Sequence, residues 1–190
     1  IAQMTDYCKA QYTACMDNFC NVLNDLQGRC SCSKNVKNYE KTEEALKLAK
    51  EAGIEGFCYY HYWFGKGKRE LEKPFQEVIA LGEPDFPFCL GWANESWRGF
   101  FHGVKTKETL IDQLYPGKDD YIAHFNAVLP AFKDKRYIKV EGKPVFLIYQ
   151  PLNNKTEIMC LMELWQELAR ENGLQGIYFI GHTYNYDSCR

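Results

Sequence analysis

The chain has no long block of like charge. Its 23 basic and 25 acidic residues leave a formal net charge of -2, so neither a nucleic acid nor an acidic membrane surface is the expected partner. No run approaches the roughly 20 consecutive apolar residues that span a bilayer. The N-terminus lacks the basic-then-apolar order of a signal peptide, and the expected setting is cytoplasmic. The chain also lacks an initial Met, beginning at Ile1, which fits a fragment or a processed product. No pair of His, Asp or Glu shows metal-ligand spacing on one helix, so no catalytic metal is expected. No cofactor is expected either: Gly65-Lys66-Gly67-Lys68-Arg69 lacks the four-residue spacing and Lys-Ser/Thr ending of a P-loop. That segment reads as a solvated turn, with contact to a substrate phosphate or acidic sugar through Lys66 or Arg69 as the alternative.

Aromatic residues and cysteines are present in quantity. Aromatics make up 15% of the 190 residues and crowd into positions 57–64, 86–101 and 178–186. Such local clustering favours a flat, uncharged ligand surface over core packing alone. The nine cysteines fall into two groups. Cys8, Cys15, Cys20, Cys30 and Cys32 sit early, where reduced thiols, disulfides or a soft metal remain open readings. Cys58 and Cys89 lie in apolar strands and Cys160 on a helical stripe, where a thiol serves as a small hydrophobe. The odd total argues against complete intrachain pairing.

Residues 1–41 read as a Cys-rich helical segment and 42–190 as a separate α/β domain. Tyr12, Cys15, Phe19, Val22, Leu23 and Leu26 give one helix from about Thr5 to Leu26, stopped at Gly28. After a loop from Gly28 to Asn38, Thr42 can cap a second helix in which Leu46 and Ala49 share a face and Gly53 supplies the stop. From there short apolar runs alternate with amphipathic helices, the order of βα units around a mainly parallel sheet. Strands are expected at Ile54 to Tyr60, Phe86 to Trp92, Tyr137 to Val140, Pro144 to Tyr149 and Ile177 to Ile180. Helices are expected at about Leu71 to Leu81, from an Asp119 or Asp120 cap through Pro130, and from an Asn154–Glu157 capping box to Gly173.

The four major strands each leave a polar or aromatic cluster at the C-terminal end, the edge where α/β folds bind ligands. Trp92-Ala93-Asn94-Glu95-Ser96-Trp97-Arg98 is the richest. It sets a carboxylate, an amide and a guanidinium between two indoles, a combination suited to gripping a sugar. Glu95 is the acid, base or nucleophile candidate, because apolar walls raise a carboxyl pKa while Arg98 lowers it. An Arg–Glu surface pair is the bland alternative. Asn94 can donate to a sugar hydroxyl or hold Glu95. His61, between Tyr60 and Tyr62, can bind a hydroxyl or donate a proton; a buried histidine bonded to a backbone carbonyl is its other reading. His182 has the same two readings, whereas His102 and His124 read as ordinary surface or helix positions. Tyr149 completes the candidate set.

The segments Gly56-Phe57-Cys58-Tyr59-Tyr60-His61-Tyr62-Trp63-Phe64, Phe88-Cys89-Leu90-Gly91-Trp92-Ala93-Asn94-Glu95, and Phe132-Lys133-Asp134 through Gly142-Lys143-Pro144-Val145-Phe146-Leu147-Ile148-Tyr149 occur in order. Together they resemble the WbsX-type glycosyltransferase family, whose domain is similar to glycoside hydrolase family 99, the endo-α-mannosidase family. The resemblance implies a (β/α)₈ TIM-barrel-like fold, partial here, with flanking helices. It also implies bacterial polysaccharide or O-antigen metabolism, a glycan substrate, and a sugar site containing Trp92, Asn94, Glu95, Trp97 and Arg98. Glycoside chemistry usually needs two carboxylates, and only Glu95 is nominated; Asp187 near the last strand has no support from the resemblance. A partial barrel exposes sheet edges, which invites self-association or cover from residues 1–38. The competing readings are a carbohydrate-binding remnant without turnover and a chimeric product without activity.

Overall fold

The computed structural model describes residues 44–98 and 108–182. The expected helix at 5–26, the loop after it, the Thr42 cap, the early cysteines, His102, Asp187 and Cys189 lie outside the described residues. The chain divides into two compact units, Ile1–Glu55 and Gly56–Arg190, each described by itself.

In the first unit, α1 covers residues 44–51 with Ala49 buried. Its end follows from Gly53, at φ 74°. The Ile54 amide donates to Ala49 O at 2.9 Å and the Gly53 amide to Lys50 O at 3.1 Å, the two bonds of a Schellman stop, which needs a left-handed residue.

Among the described residues the second unit carries eight strands: β1 (Phe57–Trp63), β2 (Arg69–Glu70), β3 (Phe88–Trp92), β4 (Trp97–Arg98), β5 (Thr109–Ile111), β6 (Lys139–Val140), β7 (Lys143–Ile148) and β8 (Tyr178–Gly181). Its helices are α2 (Lys73–Leu81), α3 (Lys118–Phe132) and α4 (Lys155–Glu171). The parallel strands lie side by side in chain order, β1 to β3 to β7 to β8. β2 and β6 add short antiparallel pairings to β1 and β7, while β4 and β5 form a separate ribbon. The sheet of the described residues is open. The closed eight-stranded barrel implied by the resemblance is not shown; what stands is a mixed α/β unit with parallel strands and flanking helices.

Period-two alternation gives this sheet two unlike faces. Tyr59, Leu90, Phe146 and Phe179 occupy successive register positions across the four parallel strands, on the face that α3 and α4 cover. Leu90 and Phe146 have no exposed surface there. Trp165 of α4 lies 4.9 Å from Phe146 and 5.5 Å from Phe125 between ring centroids, and its indole donates to Tyr121 O at 3.0 Å, so its one polar atom is satisfied. The next row, Tyr60, Gly91, Leu147 and Ile180, points the other way, and Tyr60 and Ile180 keep 38% and 39% of their surface.

Several local expectations change in detail. β1 starts three residues later than the apolar run suggested, where pairing with β3 begins at Phe57↔Phe88. Glu141 and Gly142 both take positive φ, 50° and 74°, the pattern of a type I′ hairpin turn between β6 and β7. Gly117, not an aspartate, is the N-cap of α3, because Asp120 is engaged elsewhere: it accepts from the Trp63 indole at 2.9 Å and from the Gly67 amide at 3.2 Å. Asn154 does occupy the α4 N-cap position, but without a side-chain cap bond; Glu157 instead accepts from the Tyr121 hydroxyl. Pro130 lies inside α3 close to its end at Phe132. Gly173 repeats the Schellman stop, with Leu174 N to Ala169 O at 2.9 Å and Gly173 N to Arg170 O at 3.1 Å. Cys89 is buried and Cys58 half-buried, but Cys160 is exposed, because its place on α4 falls between the buried Ile158, Leu161 and Trp165 positions. No described helix is long and apolar enough to cross a membrane.

Candidate functional site

A cleft of about 500 Å³ opens at the C-terminal ends of the parallel strands, on the face opposite α3 and α4. It is lined by Tyr60 and Tyr62 from β1, by Ala93, Glu95, Ser96, Trp97 and Arg98 beyond β3, by Tyr149 after β7, and by Leu71. The alternation that buries Tyr59, His61 and Trp63 on the helix side is what delivers Tyr60 and Tyr62 to the cleft. Tyr60 meets Tyr149 edge to face at 6.2 Å, and Trp97 meets Tyr62 at 5.3 Å in the same manner. These contacts hold the rings in the offset geometry aromatic quadrupoles prefer. Trp97 and Arg98 reach the cleft from β4, whose pairing with β5 slips so that Arg98 opposes Thr109 while Trp97 opposes Ile111. Leu110 is the extra residue of a bulge, a device that re-aims side chains beside sites.

Glu95 is exposed at the cleft, on a tight turn in which its amide donates to Ala93 O at 3.0 Å. Among the described residues it forms no ion pair with Arg98 or with any other cation, so the surface Arg–Glu pair is not what these residues make. Among the described residues it is the only carboxylate that lines the cleft.

Asn94 is fully buried and does not line the cleft. Its amide donates to Gln150 O at 2.9 Å and accepts from Gln150 N at 2.7 Å, and it donates to the Tyr115 hydroxyl at 3.1 Å. One side chain thus satisfies both backbone groups of Gln150 and fastens the loop after β3 to the end of β7. These bonds hold the loop that carries Glu95, and none of them is made to Glu95 itself. Burial pushes the Tyr115 phenol above its ordinary pKa, partly offset by the hydrogen bond from Asn94.

His61 and Trp92, like Asn94, lie inside the protein. Each keeps about 1% of its surface, because their register row faces the helices. The Trp92 indole donates to Trp63 O at 3.0 Å. His61 meets His124 of α3, Nε2 to Nε2, at 2.9 Å, rather than a backbone carbonyl. His124 is no surface residue: it is fully buried, with Trp63 stacked on it at 4.8 Å and 5° and Trp92 and Trp165 edge-on at 5.0 and 4.9 Å. Burial, then the Arg69 guanidinium, pushes the His61 pKa down to about 3, and burial and His61 hold His124 well below its ordinary value. Both rings are therefore neutral at pH 7. One Nε2 carries the shared proton and the other accepts it, and neither Nδ1 has a partner among the described residues.

His182 does not line the cleft but stacks on Tyr149 at 5.1 Å and 14°. Arg69 pairs with Glu72 at 2.9 Å and lies over Trp63; neither it nor Lys66 lines the cleft. Sequence reading missed Leu71, Ala93 and Ser96 in the lining. Leu71, expected to open the helix that instead begins at Lys73, takes a left-handed conformation at φ 50°, and Ser96 is placed by accepting from the Gln113 amide at 2.9 Å. Gln113 also donates to Trp63 O at 3.0 Å, tying the ribbon to β1.

Residues 34–189 match the family model described as Glycosyltransferase WbsX, and the chain belongs to that family. Over 146 residues, 76% of the chain, it is 36% identical to proteins named "Uncharacterized protein WxcX" from two strains of Xanthomonas campestris pv. campestris. The match covers 20% of their length, so the chain spans about a fifth of these curated relatives. No solved structure matches.

Proposed function

We propose that this domain is carbohydrate-active in polysaccharide metabolism, with the cleft as its sugar site and Glu95 as its acid/base group. The observation that supports this most is convergence. Tyr60, Tyr62, Trp97 and Tyr149, from three separate parts of the chain, meet around one exposed carboxylate at the ligand-binding edge of a parallel sheet. Flat rings offer the C–H face of a sugar apolar contact, and their hydroxyls and indole offer its hydroxyls hydrogen bonds. Membership in a family described as a glycosyltransferase agrees with that chemistry. The strictly sequential order of the parallel strands supports reading them as one arc of a (β/α)₈ barrel of the glycoside hydrolase family 99 type.

Glu95 would accept the proton of an attacking hydroxyl in transfer, or donate one to a leaving oxygen in hydrolysis. Replacing it with Gln keeps shape and removes the proton function. Turnover of a glycan substrate by Glu95→Gln should fall at least 100-fold, the range general acid–base catalysis supplies; turnover within a few-fold of wild type would overturn the assignment. One observation favours a second reading, binding without turnover: the described lining holds a single carboxylate, where glycoside cleavage uses two. Calorimetry that found glycan affinity with no turnover of any bound glycan would select it.

A further inference from the structure

The cations of the turn after β1 are committed or remote: Arg69 is held by Glu72 at 2.9 Å, and Lys66 and Lys68 do not line the cleft. Arg98 differs. It lines the cleft and is exposed, and no described carboxylate comes within 4.0 Å of its guanidinium, Glu95 included. The bulge in the β4–β5 ribbon brings it there beside Trp97. Around it the walls are largely aromatic or aliphatic, from Tyr60, Tyr62, Trp97, Tyr149 and Leu71. A guanidinium with no described carboxylate partner, beside low-dielectric walls, attracts an anion, and its planar fork matches the two oxygens of a carboxylate or phosphate.

We propose that the cleft takes a sugar carrying an anionic group, and that Arg98 is the residue that selects it; this rests on the carbohydrate reading of the same cleft. Glu95 repels the same anion, so the two charges orient the ligand. The anionic group lies at Arg98, and the uncharged part of the ring system lies at Glu95 and the aromatic rings. The shared chemistry is an oxyanion attached to a sugar, supplied by the carboxylate of an acidic sugar or by the phosphate of an activated one.

The test titrates the full chain, at low ionic strength, with three probes: a uronic-acid disaccharide, the neutral disaccharide of the same linkage, and a hexose 1-phosphate. At least one anionic probe should bind about tenfold or more tightly than the neutral one, and which does so names the source of the oxyanion. The preference should shrink to within about twofold in Arg98→Gln, persist in part in Arg98→Lys, and weaken as salt rises. Circular dichroism and the melting temperature of both variants check that the fold is intact. Equal binding of all three probes, or a preference that survives in folded Arg98→Gln, would overturn the assignment while leaving the sugar site standing. Binding of none of these probes, nor of any glycan in a wider panel, would overturn the carbohydrate reading and this inference with it.

Discussion

The two faces of the central sheet use the same residue types for opposite ends. On the helix side His61, Trp92, Trp165 and Phe146 are buried among one another, and every indole there has its N–H bonded within the protein. On the other side Tyr60, Tyr62, Trp97 and Tyr149 line a cleft and remain partly exposed. An aromatic-rich composition therefore says little by itself about ligand binding; the strand register decides which ring meets solvent. A shift of one residue in β1 would exchange Tyr60 and Tyr62 for His61 and Trp63.

If that division holds, substitutions on the helix face should cost stability and those on the cleft face should cost binding. The largest effect is expected at Trp165→Ala, which empties a fully buried site and should destabilise by about 3–5 kcal/mol in denaturant unfolding. A loss below 1 kcal/mol would break the contrast. Acid should act next. Both histidines are held neutral in the folded state, while in the unfolded chain they protonate near pH 6.5. The unfolded state then binds more protons as pH falls below that value, so stability present at pH 7 is lost on the way down towards the folded value of about 3 for His61. The slope approaches about 1.4 kcal/mol per pH unit for each histidine below pH 6.5, so the pair loses about 2.5 kcal/mol between pH 7 and 5.5. Denaturant midpoints measured at pH 7 and 5.5 check this, and equal midpoints would contradict the neutral pair.

Asn94→Ala comes third, at about 2 kcal/mol, because it strands the part-buried Gln150 amide and carbonyl. It should also lower turnover without abolishing ligand binding, as a positioning residue would; unchanged turnover would remove that role. The smallest stability change, under about 1 kcal/mol, is expected for Tyr60→Ala on the cleft face, paired with a tenfold or greater loss of glycan affinity by titration.

Much of this arrangement was legible in the chain. Glycines at 53 and 173 marked helix stops because only their conformational freedom permits the Schellman bonds found there. The apolar runs marked the parallel strands, and Trp92 to Arg98 marked the strand end that carries Glu95. The facing of individual residues was not legible. Trp92, Asn94 and His61 look like ligand groups in a linear reading, yet strand register turns Trp92 and His61 inward and Asn94 is bonded to Gln150 and Tyr115, and His124 acquires its meaning only from a partner 63 positions away. Asp120 and Glu157 looked like helix caps but serve Trp63 and Tyr121, since a long-range donor outcompeted the local backbone. Leu71 entered the cleft through a backbone turn that no periodicity announces.

The central claim is that the open-face aromatic cleft is where sugar binds. The direct measurement is calorimetric titration of polysaccharide fragments into the wild type and into a Tyr60→Ala, Trp97→Ala double variant whose melting behaviour confirms its fold. Saturable binding by the wild type and a loss of at least tenfold in the variant are predicted. Equal affinity in both would contradict the account.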